Sequence, residues 1–149
     1  MIGATPLFDM TVQLEPAVAA LTPSGLRTTH IVNGGSFEGA RLAGRVLPGG
    51  GDWLLTDSVG VGHVDVRVHL ETHDHTIIHV HYTGRVRLHG DALDRLLAGE
   101  SLTDDDAYVR VAPLFDAPPG IHDWLNGIQA IGTGRLRSDG VDYRFFALD

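Results

Sequence analysis

The chain contains no cysteine and no lysine. The first absence removes disulfides, thiolate metal sites and cysteine nucleophiles, so the fold needs neither a cross-link nor an oxidising compartment. The second removes Schiff-base chemistry and the lysine of a phosphate-binding loop. Positive charge rests on 11 arginines against 19 carboxylates, and the net charge of −8 disfavours nucleic acid and anionic membranes as partners. No stretch approaches the ~20 apolar residues that span a bilayer, and Met1 to Met10 lacks the cationic and apolar regions of a signal peptide. A cytoplasmic protein is the expectation, with residues 1–10 read as a segment that need not be ordered.

What is present is a 149-residue chain, enough for one domain that buries roughly 70% of its unfolded surface. Its 19 Gly and 7 Pro sit between short apolar runs, which is the pattern of strands separated by turns. Strands are expected at Pro16 to Leu21, Leu26 to Val32, Phe37 to Leu47, Trp53 to Leu55, Val61 to Glu71, Thr76 to Leu88, Tyr108 to Phe115, Ile128 to Leu136 and Val141 to Leu148. Only His89 to Gly99 has a helical signature, with Asp91 as cap, Leu93, Leu96 and Leu97 on one face, and Gly99 as terminator. Eight or nine strands with one short helix predict an all-β fold, a single antiparallel β-barrel, because parallel strands would need many crossover helices and closure removes exposed edges.

Several catalytic signatures fail. Gly60-Val61-Gly62 lacks the third glycine of a dinucleotide fingerprint and leads into a strand, and no serine sits in a Gly-x-Ser-x-Gly elbow. The informative feature is nine histidines, five of them between Val68 and Tyr82. From Val64 to Glu71 the even positions are aliphatic and the odd ones are Asp65, Arg67, His69 and Glu71, a period of two. The next strand keeps the pattern, with Ile78, Val80 and Tyr82 on one face and His79, His81 and Thr83 on the other. A turn near residues 72–76 sets His69 across from His79, Arg67 across from His81 and Asp65 across from Thr83.

Three readings of that polar face stand side by side. It is the wet outer face of an antiparallel sheet; or it lines a small barrel's lumen, where His, Arg and carboxylates perform acid–base chemistry; or His69, His79 and His81 hold a metal ion. The lumen reading makes His69 and His79 catalytic and His81 a substrate contact, with no metal.

The blocks Gly34-Gly35-Ser36-Phe37-Glu38-Gly39, Leu42 to Gly51, Asp52-Trp53, Leu70-Glu71-Thr72, Tyr108-x-Arg110-x-Ala112-Pro113-x-Phe115 and Trp124-Leu125-Asn126 resemble the domain-of-unknown-function family 3237. The likeness runs from about Leu14 to the C-terminus. It implies a lipocalin-like or allene-oxide-cyclase-like barrel and an activity of cofactor-free ring closure on aromatic or polyketide-type molecules, in which a hydroxyl adds to an alkene or conjugated system. It further implies Asp52 or Glu71 as base, Arg67 and Arg110 as carbonyl or phenolate anchors, Tyr82 as proton donor and Trp53 as an aromatic wall; Phe37, Phe115 and Trp124 are further candidate substrate contacts, as pocket walls. Arg67 and Tyr82 have opposite parity, so both line one lumen only if a bulge intervenes. The expected partners are a small-molecule substrate and a second copy of the chain. A non-catalytic ligand-binding barrel and a His-ligated metal enzyme are the alternatives.

Overall fold

The computed structural model describes residues 1–149. Ten strands are present: β1 (Ala4–Leu14), β2 (Val18–Thr22), β3 (Gly25–Glu38), β4 (Ala43–Val46), β5 (Gly51–Thr56), β6 (Gly62–Thr72), β7 (Ile77–Leu88), β8 (Ala107–Asp116), β9 (Ala130–Arg137) and β10 (Gly140–Leu148). They form one antiparallel sheet in the order β1-β10-β9-β8-β7-β6-β4-β3, which pairing of β1 with β3 closes into a barrel. Two strands stand outside that ring. β5 pairs with β3 and β6 beyond the end of β4, and β2 pairs with β3 alone. No helix is long and apolar enough to cross a membrane.

Residues 4–10 are ordered as the first half of β1, and Leu7, Phe8 and Met10 are buried in the core. The sequence pattern divides Leu26 to Val32 from Phe37 to Leu47, whereas β3 runs unbroken to Glu38. Glycine makes the difference. Gly34 and Gly35 have φ of 144° and 148°, and a Cβ on Gly35 would lie 1.9 Å from the Thr11 carbonyl oxygen. Only glycine admits that conformation and that approach of β1.

The helix is shorter than its signature. α1 spans Ala92–Leu97, and Asp91 pairs with Arg95 at 3.0 Å without capping the backbone. Its expected apolar face does not form a buried stripe: Ala92 is the buried residue, while Leu93 and Leu97 lie exposed. A helix of six residues on the rim of a closed barrel has no second layer to pack against.

The interior is filled by a core of 25 buried residues, each large aliphatic or aromatic member worth ~1.5–3 kcal/mol of transfer free energy. Alternation is nearly perfect in β6 and β8, where every second residue is buried. One half of the barrel is aromatic. Phe8 packs against Phe37, Phe115 and Phe145 at ring separations of 5.4, 6.0 and 5.2 Å.

Candidate functional site

The β6–β7 hairpin has the register expected from its sequence: His69 faces His79, Arg67 faces His81 and Asp65 faces Thr83. The sense of its faces decides the site. Val64, Val66, Val68, Leu70, Ile78, Val80 and Tyr82 are buried, and the ionisable residues between them point to solvent. The lumen reading of the polar face is therefore corrected. Seven aliphatic or aromatic side chains bury more apolar area inward than the His and Arg set could, and inward charges would need partners the core does not offer.

Most of the outward residues have a local partner. Glu71 accepts from Arg45 Nε at 2.7 Å, and His81 Nε2 lies 2.9 Å from Asp65. His69 and His79 meet edge to face with ring centroids 4.6 Å apart. No three metal-ligating side chains converge anywhere in the chain. Arg110, on the outward parity of β8, donates to the Val109 carbonyl at 2.8 Å and lies over Tyr108. Arg67 is exposed.

The expected pocket walls divide in the same way. Trp53 follows Asp52 on β5 and so faces outward, where its ring covers Gly51. Trp124 is half-buried beneath the Arg41 guanidinium, 3.6 Å from the ring centroid, and packs against the core. Phe37 and Phe115 are inside, but packed around Phe8.

Two residues singled out from the sequence do meet in the interior: Asp52 and Tyr82. Both pair with Val66, Asp52 from β5 and Tyr82 from β7, so they occupy one inward-facing row. Tyr143 of β10 joins them from across the barrel, its ring 5.3 Å from that of Tyr82, and Phe145 touches both tyrosines. Thr28 of β3 stands on the strand beside β5, paired with Leu54, two residues along from the pairing of His30 with Asp52. At this end of the barrel Thr28, Asp52, Leu54 and Thr56 are partly buried, whereas Tyr82 and Tyr143 are buried.

The electrostatics of this group are unlike those of any other in the chain. Burial raises the Asp52 carboxyl to about 7, helped by the nearby Asp65 charge and opposed by the Asp65 backbone N–H, which donates to it. The carboxyl's Oδ1 and the Thr28 Oγ1 are buried and have no hydrogen-bond partner. Such orphaned atoms cost free energy unless something polar reaches them. Burial also raises the hydroxyl of Tyr82 far above its ordinary value, with Tyr143 and Asp52 as further causes, and raises that of Tyr143 likewise. Both phenols therefore stay protonated and act as donors.

No arginine is inside: each of the eleven is exposed or, like Arg95 and Arg137, partly buried against surface aspartates. His30 shares the inward parity, but its Nδ1 lies 3.3 Å from the Glu15 carbonyl at the break between β1 and β2, which gives it a structural part. Sequence reasoning passed over Thr28 and Tyr143. Parity would have found both, since Tyr143 is in phase with Val141 and Phe145, and Thr28 with Val32.

A protein from Acinetobacter baumannii described as β-barrel-like has a crystal structure that superposes with a TM-score of 0.87 at 30% identity, covering 100% of this chain and 97% of that one. A conserved protein of unknown function from Rhodopseudomonas palustris superposes with a TM-score of 0.94 at 21% identity, covering 100% and 99%. An enzyme from Penicillium herquei shares the fold with a TM-score of 0.74 at 18% identity, covering 99% and 95%. The family described as protein of unknown function (DUF3237) matches residues 3–148, and the chain belongs to it.

Proposed function

We propose that the protein is a cofactor-free acid–base catalyst acting on a small aromatic or polyketide-type molecule at the Asp52 end of the barrel, by cyclisation or isomerisation. One observation carries this reading. A single carboxyl, with one oxygen orphaned, sits beside two permanently protonated phenols in an otherwise apolar interior. A base whose pKa lies near the working pH is the effective kind, and about 7 is such a value.

In the step we envisage, Asp52 carboxylate takes the proton of a substrate hydroxyl, and the oxygen adds to an alkene or conjugated carbon. Tyr82 donates a hydrogen bond to the carbonyl on which negative charge collects, and the proton held by Asp52 returns to carbon. The reaction is an isomerisation, so no oxidant or co-reactant is consumed. Thr28 Oγ1, on the strand paired with that of Asp52 and without a partner of its own, orients the hydroxyl. The fold relative from Penicillium herquei, described as an enzyme, supports the view that a barrel of this shape hosts catalysis.

The test uses a panel of hydroxyaryl alkenes and enones, with conversion followed by chromatography. Asp52→Asn should lower turnover by about 10²–10⁴-fold while leaving binding largely intact, and wild-type rate should rise with pH through an apparent pKa near 7. The outward triple variant Arg67→Ala/His69→Ala/His79→Ala should keep its rate. An undiminished Asp52→Asn enzyme sinks the proposal, and binding without conversion across the panel would make the barrel a carrier.

A further inference from the structure

Nine of the ten strands have neighbours on both sides or are covered at their ends, whereas β2 bonds only to β3. No backbone hydrogen bond outside that pairing involves Val18–Thr22. A row of N–H and C=O groups is thus presented to solvent. Natural edge strands are guarded by charge, by an internal proline or by a bulge, because an unguarded edge pairs with another chain. β2 has none of these. Residues 16–26 carry no charged side chain at all, in a protein where one residue in five is charged. Pro16 and Pro23 bracket the strand without interrupting it, so they confine any added ladder to these five residues.

From these features we infer that β2 is the seam of a two-fold dimer between copies of this chain. Charge argues for a second copy on this face: two molecules of net charge −8 repel, and the uncharged hairpin tip is where they approach at least cost. Symmetry argues for closure. Each copy has one such edge, so antiparallel pairing consumes both and cannot propagate into a fibre. A two-fold axis at Ala20 sets Ala20 against its own counterpart and Val18 against Thr22, with a small residue where the strands come nearest. Exposed apolar side chains flank this edge on both faces of the sheet, Val18 on β2 with Ile31 on β3 and Trp53 on β5 on one, Leu21 on β2 with Leu26 on β3 on the other, and supply the apolar area that five residues of ladder alone lack. Leu21 pairs with Leu26 on the sheet face shared by Thr28, so the seam borders the Asp52 end of the barrel.

The absence of cysteine makes the test sharp. Under oxidised glutathione, Ala20→Cys should form a covalent dimer, since residues opposed at a two-fold axis have the Cα separation a disulfide needs. Val18→Cys alone should not cross-link, and Val18→Cys/Thr22→Cys should. Sedimentation of the wild type should approach twice 16.0 kDa as concentration rises, while Ala20→Lys/Leu21→Lys stays at 16.0 kDa with its melting temperature unchanged, both positions being exposed. A wild type that stays at the monomer mass at its highest soluble concentration overturns the inference. So does a dimer that survives the double lysine variant.

Discussion

The two faces of the β6–β7 hairpin differ in everything but their backbone. The outer face holds Asp65, Arg67, His69, Glu71, His79 and His81, six ionisable groups within two strands, and every one of them is in contact with solvent. The inner face holds one ionisable group, Tyr82, which together with Asp52 and Tyr143 is shifted strongly by burial. Water accounts for the contrast. A half-exposed imidazole keeps its solvation and gains little from a neighbour, whereas a carboxyl among apolar side chains loses the hydration that favours its charged form. A crowd of titratable residues is thus a poorer guide to chemistry than one that is buried.

The largest way to sharpen this comparison is to remove matching side chains from opposite faces. Tyr82→Ala should cost about 3–5 kcal/mol in urea unfolding, because Tyr82 is fully buried against Tyr143 and Phe145 and its removal leaves a cavity. A loss comparable with that of a surface residue would break the claim that Tyr82 belongs to the packed interior.

Next comes the charge itself. Above its ordinary 3.8 the unfolded chain has lost the Asp52 proton, while the folded chain holds it to about 7. Stability from this group therefore falls as pH rises from about 4 to about 7, the reverse of a salt-bridged aspartate. Asp74, held down to about 2 by Thr72 and His122, acts in the opposite sense and is lost only on strong acidification. Asp52→Asn should remove the falling limb and stabilise the chain at pH 8 by roughly 2–4 kcal/mol. Identical pH dependence in wild type and variant, followed by thermal melts across that range, would refute the buried, proton-holding carboxyl.

The smallest effect belongs outside. His69→Ala and His79→Ala should each change stability by no more than about 0.5 kcal/mol, as surface substitutions do. A larger loss in either would mean that the edge-to-face contact of the two rings contributes more than an exposed pair should.

Much of the architecture was legible in the sequence because alternation has only two phases. Val64 to Glu71 states its period plainly, and the turn that follows leaves one register that keeps both apolar faces together. The candidate site was legible in part. Asp52 and Tyr82 were picked out by family likeness, yet Arg67, His69, Glu71, His79, His81 and Arg110 were set beside them although parity placed Tyr82 with the aliphatic residues. Parity puts Thr28 and Tyr143 on inward faces, but that they stand near Asp52 follows only from the pairing of strands distant in sequence. The span of β3 is not legible in the sequence, because Gly34 and Gly35 have the composition of a turn and only the Thr11 carbonyl packed against Gly35 explains them within a strand.

By itself, then, the sequence determined an all-β chain, the pairing of its clearest hairpin, and which residues share a face, since these depend on local period and turn length. Only the tertiary structure decided which face looks inward, that β2 is left without a second neighbour, and that Asp52 meets two tyrosines. Those outcomes depend on closure of the barrel, which brings together residues more than ninety positions apart and withdraws water from one side of every strand.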